Sequence, residues 1–295
     1  MNYFLLAVSI IVTLVYNLVR NAFSKRHMQT QADLQLFNLA CSAVSALVLL
    51  AVALLSNAAP PSGYTLLLGL VFGILTALAA LFNIQALGCG PVSYTTLIVT
   101  SSMMIPALSG WVLYGETVSP LKFVGIALML LSVFLSIFRT DETEKKASVK
   151  WLIMSLLTML FTSFIGIVQK VHQSSLHSEE LMYFLVIAFF VSALYSAAAV
   201  LFYRKKKIHS ALSFSPRKTV FWMSVGSGVA IAAANVINLY LCGVMESIVL
   251  FPTFNGAHLL LLILISVFFL HEKLSRARWC GVIIGCAAIA LLCVG

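Results

Sequence analysis

The sequence predicts an all-α integral membrane protein of ten transmembrane helices, arranged as two inverted five-helix repeats. Three observations predict it. The chain of 295 residues is 61% hydrophobic and 9% charged, whereas a soluble domain is about half apolar and a quarter charged. No Asp, Glu, Lys or Arg occurs between Asp33 and Glu116, an interval over which a water-facing surface would need charge. The apolar residues also gather into ten runs near the ~20 residues that cross a bilayer.

In chain order these runs cover about 2–22, 34–56, 64–87, 91–114, 119–138, 151–170, 180–203, 219–242, 247–270 and 276–294. Each is long enough for a helix. A membrane barrel would need ten-residue segments of alternating polarity, which are absent, and only helices otherwise satisfy the backbone in lipid. The first run has no basic segment before it and no small-residue cleavage site after it, so it reads as a retained span. Short connections follow the expected turn chemistry, such as Ala59-Pro60-Pro61-Ser62-Gly63 and Gly88-Cys89-Gly90-Pro91. The longest polar connection runs from Arg204 to Lys218, and its apolar insert Ala211 to Phe214 is either a surface-lying piece or a plain solvated loop.

Charge placement sets the orientation. Sixteen of the eighteen Lys and Arg residues sit in connections 1-2, 5-6, 7-8 and 9-10, and only Lys122 and Lys170 lie on the other side. Such an asymmetry places the rich loops in the cytoplasm and both termini outside it. The net charge of +9 is thereby accounted for by loop position, and no nucleic-acid partner is expected. The six cysteines are scattered through apolar runs without paired metal-ligand spacing, so they read as small hydrophobes, with no metal and no cofactor expected.

Repetition within the chain sets the architecture. Glu116, Ser119 and Gly125 recur as Glu272, Ser275 and Gly281 at one offset of 156. One residue out of step, Asn83 and Gly88 match Asn238 and Gly243, and more weakly Thr13 and Val19 match Thr162 and Val168. The repeats are residues 1–140 and 151–295, separated by a charged linker at 141–150. Because each holds five spans, an odd number, the two must insert in opposite senses.

These features resemble the drug/metabolite transporter superfamily, in its ten-span EamA-type branch. The residues that carry the resemblance are Ala86-Leu87 with Pro91, Pro106 within span four, Gly115-Glu116 with Ser119 and Gly125, and Glu272, Ser275 and Gly281. The resemblance implies a central cavity lined by the first, third and fourth spans of each half and opened alternately to the two sides. Members of that family commonly have both termini in the cytoplasm; the loop charges here predict the reverse.

Chemistry is expected where polar groups lie at bilayer depth, since such groups are costly there. None of the nine acids is mid-span, which argues against a buried carboxylate that exchanges protons for large cations. His258 is the ionisable group that lies deep, near the middle of span nine, either binding solute or proton or bridging helices. Asn255 shares its helix face. Pro252 frees a carbonyl and Gly256 loosens the same helix, as in discontinuous transporter helices or in a simple packing kink. The counterpart on span four is Tyr94, Ser101 and Ser102, with Pro106 as its own break; the serines either bind solute or permit close packing.

Amides at Asn17, Asn83, Gln85, Asn235 and Asn238 offer donors and acceptors to a polar, neutral or zwitterionic solute, or join helices. Glu116 and Glu272 occupy equivalent boundary positions, where each is expected to accept hydrogen bonds from the amides that open spans five and ten. Gly69-xxx-Gly73 and Gly281-xxx-Gly285 are expected to admit close helix approach within the chain.

The resulting expectation is secondary transport of a small polar, amino-acid-like metabolite across the cell membrane. Membrane lipid and a coupling proton or ion are the further partners, in a monomer or homodimer. The competing readings are a lipid or amphipath flippase, a non-transporting membrane protein, and an intramembrane enzyme. No nucleotide-binding G-x-x-x-x-G-K-[ST] loop is present, His271-Glu272 lacks the second His of a zinc protease, and paired intramembrane aspartates are missing.

Overall fold

A computed structural model describes residues 1–28, 30–56, 58, 60–116, 119–137, 148–205, 218–270 and 275–294. Outside the described residues lie Glu272, most of the linker at 141–150 and the insert Ala211 to Phe214. The described chain is helical: α1 (Asn2–Arg26), α2 (Gln31–Leu55), α3 (Gly63–Cys89), α4 (Val92–Thr100), α5 (Met104–Tyr114), α6 (Pro120–Ile137), α7 (Val149–Gln173), α8 (Leu181–Lys205), α9 (Lys218–Val244), α10 (Ser247–Leu270) and α11 (Arg276–Val294). Helices α4 and α5 together make span four, joined by a 3₁₀ turn at Ser101–Met103.

Among the described residues, nine segments are long and apolar enough to cross a membrane, and the apolar stretch of α6, Pro120–Leu135, is shorter. Large apolar side chains such as Phe4, Leu67, Phe190 and Ile283 point outward, as suits a surface solvated by lipid tails.

The chain forms two compact units that do not follow the sequence halves. The first contains 3–77 and 171–243, the second 78–170 and 244–295. Each unit therefore draws helices from both halves of the repeat.

Small residues set the packing in each unit. In the first, Gly69 and Gly73 of α3 face Ile187 and Val191 of α8 so closely that an added Cβ would touch them. The Gly69-xxx-Gly73 pattern thus serves an approach within the chain. Ser45 of α2 donates to the Gly228 carbonyl of α9 at 2.7 Å, and Gly228 lies against Val44. Phe23 stacks on Phe37 at 4.2 Å, and Thr30 with Asp33 forms a capping box at the start of α2. In the second unit, Gly125 of α6 meets Leu292 of α11, Gly285 meets Ser132 and Leu260, and Ser132 donates to the Gly281 carbonyl at 2.7 Å.

Candidate functional site

The prolines of spans four and nine act differently. Pro106 has no N–H for the carbonyl four residues back, so the Ser102 carbonyl is released from the helix ladder. That carbonyl accepts the Ser163 hydroxyl of α7 at 3.0 Å, and the helix is interrupted just there by the 3₁₀ turn. Pro106 itself packs on Gly166, where a Cβ would crowd it. Helix α10, by contrast, runs on through Pro252 without a break. Gly256 leaves room for the Met129 side chain of α6, so this glycine admits a neighbour and does not interrupt its helix.

The expected polar residues divide between the units. Asn17, Asn235 and Asn238 belong to the first, all half-buried, and the Asn235 amide donates back to the Ile231 carbonyl at 2.9 Å. The second holds Asn83, Gln85, Tyr94, Ser101, Ser102, Asn255 and His258. Gln85 and Tyr94 are exposed, Asn83, Asn255 and His258 half-buried, and Ser102 buried. The Ser101 hydroxyl donates to Leu97 O at 2.9 Å, and the Asn255 amide donates to Phe251 O at 2.9 Å. On the same helix Thr253 is buried, with a hydroxyl that has no hydrogen-bond partner among the described residues. The middle of α10 thus holds an amide, a hydroxyl and an imidazole within a mainly apolar helix.

One charged cluster escaped the sequence reading. Gly115 takes a left-handed conformation (φ 64) that closes α5, and the Glu116 N–H returns to Gly110 O at 3.2 Å. This turn carries the Glu116 carboxylate back over Gly110, where any Cβ would collide with it. Glu116 then accepts the Ser247 N–H at 2.7 Å and the Ser247 hydroxyl at 3.1 Å, at the N-terminus of α10. Span five was the expected partner of Glu116; the helix it caps is span nine. Lys170 of α7 pairs with the same carboxylate at 2.7 Å, with side-chain exposures of 9% and 10%. Its ammonium also donates to Met245 O at 3.2 Å and lies 5.8 Å from the Tyr114 ring centroid. Nearby in sequence, Lys122 pairs with Glu246 at 2.6 Å. No local pattern announces these contacts; the hint was a lysine at the very end of an apolar run.

The first unit holds a related arrangement. Glu180 accepts the Ser62 N–H and hydroxyl, each at 2.8 Å, just ahead of α3, and pairs with His177 at 3.0 Å. His172, fully buried, hydrogen-bonds with Thr65 at 3.1 Å and lies against Phe184. Among the described residues no group of His, Cys, Asp and Glu could hold a metal ion.

The sequence model of the EamA-like transporter family matches residues 3–138. A solved structure, described as "Crystal structure of protein", superposes with a TM-score of 0.71 at 14% identity and covers 98% of each chain. At that identity the likeness is one of fold. No curated protein matches the chain by sequence.

Proposed function

We propose, from the match of residues 3–138 to the model of the EamA-like transporter family, that the chain carries a small polar, amino-acid-like solute across the membrane by alternating access. The observation that carries the substrate class is the centre of α10. His258 is the only titratable side chain of that helix, is half-buried, and shares a helix face with Asn255. Uncharged donors and acceptors at depth suit a neutral or zwitterionic solute. A large cation would call for a deep carboxylate, and none of the acids is mid-span.

Inverted repeats at 1–140 and 151–295 supply the two related halves that alternating access uses, and both termini lie outside the cytoplasm. What supports this orientation is the fate of the two exceptional cations: Lys122 and Lys170 are each held by a carboxylate, so the charge-poor side carries no uncompensated lysine among the described residues.

The test is uptake of labelled amino acids into proteoliposomes by the wild-type chain, His258→Ala and His258→Gln. Transport should fall at least tenfold in the alanine variant while folded yield is unchanged; undiminished uptake removes His258 from the site. A C-terminal reporter active only outside the cytoplasm should give signal, and activity of a cytoplasm-only reporter would reverse the orientation.

A further inference from the structure

The first unit carries a groove of about 420 Å³ between α1 and α9, lined by Val15, Tyr16, Trp222, Met223 and Gly226 among others. Its lining is mostly apolar, and a Cβ built on Gly226 would meet nothing within 4 Å. The groove is therefore open to an occupant at that point. Arg20 is outside the lining itself but lies one helical turn past Tyr16, which lines the groove, so the two side chains share one face of α1 toward its C-terminal end. Arg20 is half-buried, and among the described residues no carboxylate pairs with it. Lys218 opens α9 directly before Thr219, which also lines the groove.

A half-buried cation without a counter-ion is unfavourable at a membrane boundary. An anionic headgroup supplies the missing charge, and the apolar groove beside it accepts a hydrocarbon chain. We propose that this groove binds one anionic phospholipid, with its phosphate on Arg20 and Lys218 and an acyl chain along Trp222 and Gly226. The lipid belongs to the leaflet at the Lys- and Arg-rich ends of the helices, where anionic lipid and basic side chains attract one another. This assignment stands independently of the transported solute.

Native mass spectrometry of the purified full chain, offered equimolar phosphatidylglycerol and phosphatidylcholine of identical chains, tests it. The wild-type protein should retain phosphatidylglycerol preferentially, and Arg20→Gln should reduce that preference about fivefold. Arg20→Lys should keep most of it. Gly226→Leu, whose Cβ meets nothing within 4 Å and whose branch extends into the groove, should lower retention of both lipids while helical circular dichroism stays unchanged. Equal retention of the two lipids by the wild type, or an undiminished preference in Arg20→Gln, would overturn the proposal. Displacement by millimolar inorganic phosphate would overturn it as well, since the tail would then contribute nothing.

Discussion

Each unit has a glutamate that reaches from a loop to seal the start of a distant helix, and the two differ in what balances the charge. Glu180 binds the N–H and hydroxyl of Ser62 ahead of α3, while Glu116 binds the same two groups of Ser247 at the start of α10. A carboxylate there satisfies amides that have no partner within the helix and meets the positive end of its dipole. The balancing group is His177 in the first unit, with a side chain 39% exposed, and the almost fully enclosed Lys170 in the second. Each of these partners also lies near a tyrosine: Tyr64 for His177 at 5.4 Å between centroids, and Tyr114 for Lys170. The same cap is thus built once with an enclosed lysine and once with a solvent-reachable imidazole. Removing the glutamate's partner should therefore matter greatly in one unit and little in the other.

Lys170→Met should have the largest effect, because it strands the Glu116 carboxylate in an enclosed site. A loss of about 3–5 kcal/mol is expected, read as a lowered melting temperature in detergent micelles. Adding Glu116→Gln to it should recover part of the loss, since the stranded charge is then gone; failure to recover would mean that Lys170 acts by packing its methylene chain. Glu180→Gln comes next, at about 2 kcal/mol, the worth of hydrogen bonds to a charged acceptor. If it matched Lys170→Met, the two caps would be energetically alike and the contrast between them would fail. The smallest effect belongs to His177→Ala, below about 1 kcal/mol because the pair is solvent-screened. A larger drop would place that imidazole in the support of the cap.

The span ends were legible because hydropathy is written residue by residue. The runs at about 219–242, 247–270 and 276–294 became Lys218–Val244, Ser247–Leu270 and Arg276–Val294. The break at span four was legible too, since a proline within a helix always forfeits one hydrogen bond. Pro252 shows the limit of that rule. Its lost bond is the same, yet α10 stays continuous, because neighbouring helices decide whether a freed carbonyl is pulled out of line. At Pro106 a Ser163 hydroxyl on α7 does so. The candidate site was legible as a set of polar residue types at depth, and less so as an arrangement. The amides of Asn235 and Asn255 fold back onto their own helices, an outcome that composition does not distinguish from reaching toward a solute.

By itself the sequence determined the number of spans, their approximate ends and the asymmetry of charge between the two faces. Each depends on local composition, because in lipid a helix must satisfy its own backbone and a charge must stay near water. Tertiary structure alone decided the partners: which carboxylate seals which helix, which lysine is enclosed, and which helices share a compact unit. Those partners lie 118 and 131 residues apart in the two caps, and their meeting follows from how whole helices pack, a property that no stretch of chain contains on its own.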